Sequence, residues 1–342
     1  MSNAYTYEDV VNQNSGKPPS RNFDSNSFLN ERILVTGAGG SIGSKIVLEL
    51  SNCRDVQLLA TDRDENRLHS LSLQLIGSAL FNTASFKVMD VRDFQGIENC
   101  VSEFNPSIII HAAALKHLAV LEKQPREAYL TNVLGTSNML SIAYKYKVGK
   151  FLNISTDKAA NPISVLGKSK YIGELLTAKY REIGAKNFTS VRFGNVFNSQ
   201  GSVIETFSQQ LEANLPVTLT DINVARYFMK LEEAANLSLS AIILNQGEVH
   251  ILEMGEQIKL IDIIHRMKEI SGSRSEIKLV GLRSGEKLSE ELHAENEILL
   301  KTKNPAIFSI KITNKYLDLP RIPNEVINDI EALREINALI PN

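Results

Sequence analysis

Between Arg32 and Asn195, short apolar runs alternate with segments long enough to form helices. The apolar runs are Ile33 to Thr36, Val56 to Thr61, Phe86 to Met89, Ser107 to His111, Phe151 to Ile154 and Thr189 to Phe193. Strands separated by helices are typical of a parallel sheet, because parallel neighbours need a long crossover connection. The pattern therefore predicts an α/β fold with a doubly wound parallel sheet.

A glycine-rich turn joins the first predicted strand to the first predicted helix. The turn reads Gly37-Ala-Gly-Gly40-Ser41-Ile42-Gly43, and apolar residues follow it at helical spacing. Glycines in this context permit a tight turn, the close approach of a pyrophosphate and the close packing of helix on strand. The helix N-terminus attracts the phosphates. A plain turn is the alternative, but the strand before and the helix after favour a dinucleotide site in a Rossmann-type fold.

Acidic residues follow the second and third predicted strands. Asp62 ends the second strand, where a carboxylate can bond the ribose diol of NAD. Arg63 comes next and suits the 2′-phosphate of NADP, so NADP is the less favoured alternative. Asp90 follows the third strand and can accept from the adenine amino group. Both carboxylates can also be turn residues.

The fifth predicted strand runs directly into Ser155-Thr156-Asp157-Lys158-Ala-Ala-Asn-Pro162, and a helix containing Lys170 comes next. In open α/β sheets, chemistry takes place beyond the carboxyl ends of the strands. A hydroxyl, an acid and an amine at that place suit a reaction that needs both a proton donor and a proton acceptor. A capped turn is the alternative interpretation of this loop.

Composition argues against several classes of protein. Thirty-seven Lys and Arg against thirty-nine Asp and Glu give a net charge of −2, so no basic footprint for nucleic acid is present. The longest apolar stretch, Ile108 to Leu115, is too short to span a membrane, and residues 1–30 do not resemble a secretory signal. We therefore expect a cytoplasmic protein. Cys53 and Cys100 lie far apart, and His111 and His117 are expected to make polar contacts, so no metal site is predicted.

Seven segments resemble the extended short-chain dehydrogenase/reductases, and most closely the UDP-N-acetylglucosamine 4,6-dehydratases of bacterial polysaccharide and glycan biosynthesis. They are Gly37 to Gly43, His111 to His117, Thr131 to Gly135, Ser155 to Pro162, Arg192 to Val196, Arg226 to Phe228 and Gly281 to Lys287. The resemblance covers about residues 30 to 295. It implies that C4 of the sugar gives a hydride to NAD, that water leaves across C5 and C6, and that the hydride returns to C6.

The resemblance also implies roles for individual residues. Asp157 would protonate the departing C6 hydroxyl, Lys158 would take the C5 proton, Thr156 would hold the C4 oxygen, and Lys170 would bond the nicotinamide ribose. The implied cofactor-binding set is Gly37, Gly40, Ser41, Ile42, Gly43, Asp62, Arg63, Asp90, Val91, Ala112, Ala113, Ala114 and Lys170.

For the nucleotide sugar, the resemblance implies Asn195 at the pyrophosphate, Ser202 and Val203 at the uracil, Arg226 at a phosphate, and Glu286 at the uridine ribose, with Lys116 and Arg283 as further contacts. A surface salt bridge is the alternative for Arg226, and a helix start is the alternative for Glu286. Asn198-Ser-Gln200 and Glu205 depart from the family pattern, which leaves the exact sugar open.

Two features bear on the chemistry. A free lysine titrates near pH ~10.4, so Lys158 can act as a base only if its pKa falls by roughly 3 units. We expect burial, Lys170 and the nicotinamide to lower it, against the effect of Asp157. Secondly, Leu166 stands where dehydrogenases of this class carry the tyrosine of Tyr-x-x-x-Lys. The C4 hydroxyl proton must then be removed by another group, either Asp157, acting through Thr156, or a water.

These observations divide the chain into four parts. We expect an arm over 1–30, extended because it is polar and rich in turn formers, and an NAD-binding domain with the catalytic loop over 31–200. A smaller, mainly nucleotide-sugar-binding lobe follows over 201–325, with Val249 to Glu253 able to rejoin the sheet, and a tail over 326–342. Within the lobe we predict a helix over Ile258 to Ile270.

The predicted function is that of an NAD-dependent UDP-N-acetylglucosamine 4,6-dehydratase without a membrane span, and a homo-oligomer is a family expectation. A UDP-sugar C4 epimerase or other C4-redox enzyme is the first alternative. A non-catalytic regulator that binds NAD or a UDP-sugar is the second, and Leu166 is the residue that suggests it.

Overall fold

A computed structural model describes residues 5–11, 23–77, 85–312 and 328–340 of the chain. Its strands are β1 Arg32–Thr36, β2 Gln57–Asp62, β3 Phe86–Val88, β4 Ile108–His111, β5 Lys150–Ile154, β6 Phe188–Arg192, β7 Asn195–Val196, β8 Val217–Leu219, β9 Ala225–Arg226, β10 Phe228–Met229, β11 Val249–Leu252, β12 Ile258–Lys259, β13 Ile277–Leu279, β14 Ile298–Lys301 and β15 Ile307–Lys311. Its α-helices are α1 Tyr7–Val10, α2 Ser41–Ser51, α3 Glu65–Ile76, α4 Phe94–Phe104, α5 Leu118–Lys123, α6 Pro125–Ala128, α7 Gly135–Lys145, α8 Val165–Glu182, α9 Val203–Glu212, α10 Leu231–Leu244, α11 Leu260–Ser271 and α12 Asp329–Ala338.

A nine-stranded sheet in the order β14-β15-β11-β6-β5-β4-β1-β2-β3 forms the centre of the described chain. In this spatial order, the strands from β11 to β3 run parallel to one another. Beyond β11, β15 pairs with β11 and β14 pairs with β15, both in antiparallel fashion. Chain order reverses between β1 and β4, which is the switch point where such sheets bind ligands. The predicted α/β, doubly wound Rossmann-type sheet is confirmed.

The central strands are apolar on both faces because helices cover both sides of the sheet. Leu34 and Ile109 point into one apolar cluster, whereas Ile33, Val35 and Ile110 point into the other. Each such buried side chain contributes about 1.5–3 kcal/mol relative to an exposed one. These two layers hold the carboxyl ends of β1, β4 and β5 side by side, which is where the glycine-rich turn and the catalytic loop begin.

A third apolar cluster includes Phe197, Phe207 and Ile263 and contains much of the predicted lobe. Residues 5–11 of the predicted arm belong to this cluster and are helical over Tyr7–Val10 instead of extended, whereas residues 23–30 contain a short 3-10 helix whose Phe28 is buried in the cluster that contains Ile33. Thr6 and Asp9 form a capping box at the start of α1. Tyr5, Val10 and Val11 are buried, so the short helix has an apolar side that the lobe covers. Residues 1–4 and 12–22 of the arm lie outside the described residues.

Three further elements differ from the sequence-based expectations. The helix predicted from Ile258 begins at Leu260, because Ile258–Lys259 pairs with β9 as strand β12. Strands β14 and β15 were not anticipated and extend the sheet beyond β11, which itself lies parallel to β6. Helix α12 lies in the predicted tail and buries Ala332 and Ile336. Residues 313–327 and 341–342 lie outside the described part, and no described helix is long and apolar enough to cross a membrane.

Candidate active site

The glycine-rich turn after β1 has no room for side chains. A Cβ on Gly37, whose φ is +66°, would lie 2.5 Å from the backbone nitrogen of Ala113, and one on Gly43 would lie 2.2 Å from the carbonyl oxygen of Gly37. The turn therefore brings bare backbone to the start of α2, where the first N–H groups, at Ser41 and Ile42, have no partner within the helix. This arrangement fits the pyrophosphate of a dinucleotide.

Asp62 ends β2 beside this turn. Its carboxylate accepts hydrogen bonds from the backbone N–H of Gly39 at 2.9 Å and of Asp64 at 3.0 Å. Asp62 therefore both shapes the turn and presents a carboxylate where a ribose diol would lie. The neighbouring Arg63 is exposed.

The other predicted cofactor residues lie around the same crevice. Asp90 accepts three hydrogen bonds from the guanidinium of Arg92, at 3.1, 2.9 and 2.6 Å, and one from its backbone N–H. Burial raises the pKa of Asp90, but the contacts with Arg92 outweigh it and the net pKa is lowered. This geometry agrees with the turn alternative for Asp90. Val91 is buried, and the run Ala112 to Ala114 follows β4 along the glycine-rich turn.

His111, at the end of β4, is a structural residue. Its two ring nitrogens contact the hydroxyls of Thr36 at 2.8 Å and Thr136 at 3.1 Å. Burial, and then the charge of Lys170, lower the pKa of His111 to about 3, so the ring is neutral. The expected polar role of His111 is confirmed, and no three His, Cys, Asp or Glu side chains in the described ranges form a group that could hold a metal ion.

The catalytic loop after β5 presents a buried carboxylate. Asp157 is 1% exposed, and its Oδ1 accepts from Thr156 Oγ1 at 2.9 Å and from Lys158 Nζ at 3.0 Å. Its Oδ2 is buried and has no hydrogen-bond partner among the described residues. A Cβ on Gly194 would lie 2.8 Å from Tyr227 Cβ and 3.0 Å from this Oδ2, so only a residue without a side chain can pack this closely against the carboxylate. A buried oxygen without a partner is costly, and a substrate hydroxyl would satisfy it.

Lys158 lies between two carboxylates. Its Nζ is 3.0 Å from Asp157 Oδ1 and 3.4 Å from Glu290 Oε1. Burial lowers the pKa of Lys158, Asp157 and then Glu290 raise it, Arg226 lowers it, and the net pKa is raised. The predicted fall of the pKa is therefore wrong for the free protein. The error arose because Glu290, a second carboxylate, comes from a distant part of the chain.

Glu290 was not anticipated from the sequence. It is 2% exposed, and its Oε1 lies 3.9 Å from Arg226 Nε as well as near Lys158. Its Oε2, like Oδ2 of Asp157, is buried and lacks a hydrogen-bond partner in the part of the chain that is described. No local signal distinguishes it from Glu291 beside it, because only the fold brings it to the catalytic loop.

Lys170 lies on α8 and is 6% exposed. Burial lowers its pKa to about 8, against the opposing charge of Glu174. Of the two lysines predicted to act in catalysis, Lys170 is thus the one with the lowered pKa. Leu166, one turn earlier, is 5% exposed and supplies no hydroxyl.

A buried ion network lies behind the catalytic loop. Arg192, on β6, is 0% exposed and pairs with Glu174 at 2.6 Å and with Glu297 at 2.7 Å. Ser155, at the start of the loop, donates a hydrogen bond to the same Glu174. The network ties the loop to β6, α8 and the segment before β14.

Arg226 and Glu286 contact each other. Arg226 is 6% exposed, lies 3.4 Å from Glu286 Oε1, and donates to the carbonyl oxygens of Ala225 and Leu288. The alternative of a surface salt bridge for Arg226 is wrong because the side chain is buried. Glu286 also accepts from Thr220 Oγ1 at 2.9 Å and lies in a turn, so it does not start a helix.

The remaining residues predicted to bind the nucleotide sugar come from both the predicted NAD-binding domain and the predicted lobe. Lys116 Nζ donates to Ser199 Oγ at 3.4 Å, and the N–H of Gln200 donates to Ser41 Oγ at 3.0 Å, which links this loop to the start of α2. Asn195 is in β7, which pairs with β10 just after Arg226. Ser202 caps α9, Val203 begins it, and Arg283 is exposed.

Thr156, Asp157 and Lys158 are thus brought together, and through Glu290 they adjoin Arg226 and Glu286. The glycine-rich turn, Asp62 and the run from Ala112 form a second group at the switch point. The structure shows no direct contact between Arg283 and the catalytic loop.

Comparison with known proteins gives a consistent set of relatives. A model of the family described as "Polysaccharide biosynthesis protein" matches residues 33–312. The capsular polysaccharide biosynthesis protein CapD of Staphylococcus aureus is 41% identical over 281 residues, which are 80% of this chain and 47% of CapD. The UDP-glucose 4-epimerase of Rickettsia rickettsii is 32% identical over 282 residues, 79% of this chain and 80% of that protein. The chain spans about half the length of the first of these relatives.

Solved structures share the fold. The X-ray structure of Pen from Bacillus thuringiensis superposes with a TM-score of 0.74 at 29% identity, covering 82% of this chain and 88% of Pen. The dTDP-glucose 4,6-dehydratase DesIV of Streptomyces venezuelae, solved with NAD and TYD bound, gives 0.65 at 20% identity, covering 76% and 88%. At 20% identity, the similarity to DesIV shows only that the two chains share a fold.

Proposed function

This chain belongs to the polysaccharide biosynthesis protein family, whose relatives include nucleotide-sugar-modifying enzymes, and we propose that it is a UDP-N-acetylglucosamine 4,6-dehydratase. The observation that carries the proposal is the buried pair Asp157 and Lys158, with 3.0 Å between Oδ1 and Nζ, together with the buried Oδ2 of Asp157, which has no hydrogen-bond partner among the described residues. The pair follows the strand next to β4, close to the turn that fits a dinucleotide.

An elimination of water needs an acid and a base at neighbouring carbons. The acid must protonate the C6 oxygen, and the base must remove the hydrogen of C5. Asp157 and Lys158 are adjacent, differ in charge and share one hydrogen bond, which suits these two roles. Bound NAD would supply the acceptor for the hydride of C4 and return it to C6.

Thr156 and Asp157 together account for the proton of the C4 hydroxyl. Thr156 Oγ1 is 2.9 Å from Asp157 Oδ1, so a proton taken from a hydroxyl at Thr156 can pass to the carboxylate. Asp157 is then the neutral acid that the departing C6 hydroxyl requires. This route needs no tyrosine, which agrees with Leu166 at the position where one is usual.

The cofactor that we propose is NAD, with NADP less favoured. The backbone of Gly37 to Gly43 would take the pyrophosphate, and Asp62 would accept from the adenosine ribose. A 2′-phosphate would lie against the Asp62 carboxylate, and the basic residues that could offset its charge are the exposed Arg63 and Arg67, which packs against Gly39 beside Asp62. Lys170, buried on α8, would bond the nicotinamide ribose.

For the nucleotide sugar, we propose that Arg226 takes a phosphate and Glu286 the uridine ribose. In the free protein these two side chains form an ion pair, with 3.4 Å between Arg226 Nη2 and Glu286 Oε1. A planar guanidinium binds phosphate oxygens with two parallel hydrogen bonds, so binding would exchange one anionic partner of Arg226 for another. Further proposed contacts with the nucleotide sugar are Lys116, Asn195, Ser202, Val203 and Arg283.

A UDP-sugar 4-epimerase is the second candidate, because relatives that are 32% identical carry that name. An epimerase needs a base for the C4 hydroxyl but neither an acid at C6 nor a base at C5. Asp157, acting through Thr156, could serve as that base in either reaction, so Leu166 does not separate the two, but in an epimerase Lys158 would have no proton to remove from C5. We therefore favour the dehydratase.

The two candidates are separated by one incubation. The purified chain is incubated with UDP-N-acetylglucosamine and NAD, and the product is examined by mass spectrometry and proton NMR. A dehydratase gives a product that is lighter by one water and carries a C6 methyl signal, whereas an epimerase gives an isomer of unchanged mass.

A further inference from the structure

We propose that Glu290 accepts the ammonium proton of Lys158 during the reaction, and so converts Lys158 to the amine that takes the C5 proton. The inference rests on the proposed dehydration and adds a residue to it. Glu290 acts through Lys158 and does not touch the sugar, so its role is to set the state and position of the base.

The geometry around Lys158 carries this inference. Glu290 Oε1 is 3.4 Å from Lys158 Nζ, within reach of proton transfer after a small closure. The other oxygen of Glu290 is buried without a partner among the residues described, so the carboxylate has an unused site for a proton or a hydrogen bond. Its backbone is held in place, because Gln257 Nε2 donates to the carbonyl oxygen of Glu290 at 2.7 Å.

A count of protons shows why one carboxylate is not enough. Lys158 starts as an ammonium between two carboxylates, yet it must be an amine to remove the C5 proton. If Asp157 took the Lys158 proton, it could not also take the proton of the C4 hydroxyl. A second acceptor beside Lys158 resolves the conflict, and Glu290 is the carboxylate at that place.

With Glu290 included, the sequence of steps balances. The C4 hydroxyl proton passes through Thr156 to Asp157 as the C4 hydride leaves the sugar, and Lys158 gives its proton to Glu290. The amine of Lys158 then removes the C5 proton, the C5–C6 double bond forms, and the C6–O bond breaks as Asp157 protonates the leaving oxygen to give water.

The return steps restore every group. Once the hydride is on C6, Lys158 gives the proton back to C5, and Glu290 gives its proton back to Lys158. The C4 hydroxyl proton has left in the water, the hydride has moved from C4 to C6, and C4 is a ketone. No external oxidant or reductant is consumed.

Arg226 connects this step to substrate binding. It lies 3.9 Å from Glu290 Oε1 in the free protein. If a phosphate draws the guanidinium away, Glu290 loses a positive neighbour, which favours its protonated form. Binding of the nucleotide would then prepare Glu290 to accept the proton.

The test compares Glu290→Gln with the matched control Glu291→Gln, which changes the next residue and leaves the Lys158 contact intact. We expect kcat of Glu290→Gln to fall about 100-fold, with the affinity for UDP changed less than about threefold. The deuterium isotope effect of C5-labelled substrate rises above that of wild type, because proton removal from C5 becomes limiting. Activity recovers as pH rises, since hydroxide then discharges Lys158.

Glu290→Asp keeps a carboxylate and is expected to lower kcat while keeping the wild-type pH profile. A wild-type kcat in Glu290→Gln overturns the proposal. A loss of kcat without a change in isotope effect or pH profile also overturns it, because a purely structural role produces that result.

A measurement without turnover separates this inference from the proposed function. The titration of Lys158 is followed by NMR of labelled lysine side chains, with Lys158→Met for assignment. Glu290→Gln is expected to lower the pKa of Lys158, because it removes a carboxylate that raises it, and an unchanged titration overturns the contact on which the inference rests. Failure of the wild-type chain to dehydrate any UDP-sugar refutes the proposed function instead.

Discussion

Helix α8 touches the catalytic loop at Gly167, where a Cβ would lie 2.3 Å from the carbonyl oxygen of Lys158. The helix can approach the loop this closely only because residue 167 has no side chain. The contact sets the distance between Lys158, on the loop, and Lys170, one turn further along the helix.

Gly167→Ala is therefore expected to displace the loop and to lower kcat about tenfold to a hundredfold. Gly173→Ala is the matched control on the same helix, because its Cβ would meet Asn153 Nδ2 at an ordinary 3.4 Å. The control is expected to keep wild-type kcat and to gain up to about 1 kcal/mol of stability. Steady-state kinetics and chemical denaturation of both variants check the prediction, and equal activity of the two would contradict it.

Arg192→Met is expected to destabilise the protein by about 3–5 kcal/mol, because it leaves Glu174 and Glu297 buried without their counter-charge. Lys179→Met removes the more exposed pair with Glu182 and is expected to change stability by less than about 1 kcal/mol. Urea denaturation of the two variants and of wild type measures both changes in the free energy of unfolding. A loss for Arg192→Met as small as that of the control would show that the buried network does not hold the loop.

The lowered pKa of Lys170 predicts a pH-dependent stability. The group titrates at about 8 in the folded chain and near 10.5 when unfolded, so between these values the unfolded chain binds more protons and stability rises with pH. Relative to Lys170→Met, wild type is expected to gain about 2 kcal/mol between pH 7 and pH 9.5. Urea denaturation of both proteins at the two pH values measures the free energies of unfolding. If wild type and Lys170→Met differ by the same free energy at both pH values, Lys170 is not desolvated.

Asp62 is expected to make the site prefer NAD. Asp62→Asn keeps an oxygen for the Gly39 N–H but removes the charge that repels a 2′-phosphate, so the ratio of the NADP and NAD dissociation constants should fall at least about tenfold. Asp64→Asn, at the start of α3, is the control and should leave this ratio unchanged. Calorimetric titration with each cofactor checks the prediction, and an unaltered ratio in Asp62→Asn would contradict it.

The central sheet was predictable because its signals are local. Each of the six predicted strands is an apolar run that the structure contains to within a residue or two at its ends, and the glycine-rich turn lies where its spacing indicated. The short strand β12 and the added strands β14 and β15 were missed, because their pairing depends on partners distant in sequence. The arm was expected to be extended because it is polar overall, whereas the lobe buries the few apolar residues around α1.

The candidate site was predictable only in part. Thr156, Asp157 and Lys158 are consecutive in sequence, and so their proximity was evident. The protonation state of Lys158 was not evident, because it depends on Glu290. In the sequence Glu290 cannot be distinguished from Glu291, and only the fold brings it to the catalytic loop. The pairing of Arg226 with Glu286 is likewise a product of the fold.

The most direct test of the account follows the hydrogen at C5 in heavy water. UDP-N-acetylglucosamine and NAD are incubated in D₂O with wild type and with Lys158→Met, and the products are compared by mass spectrometry and NMR. We predict that wild type gives a 4-keto product that has lost one water and carries solvent deuterium at C5, and that Lys158→Met gives none. A wild-type product of unchanged mass, or dehydration by Lys158→Met at the wild-type rate, would contradict the assignment of Lys158 as the base.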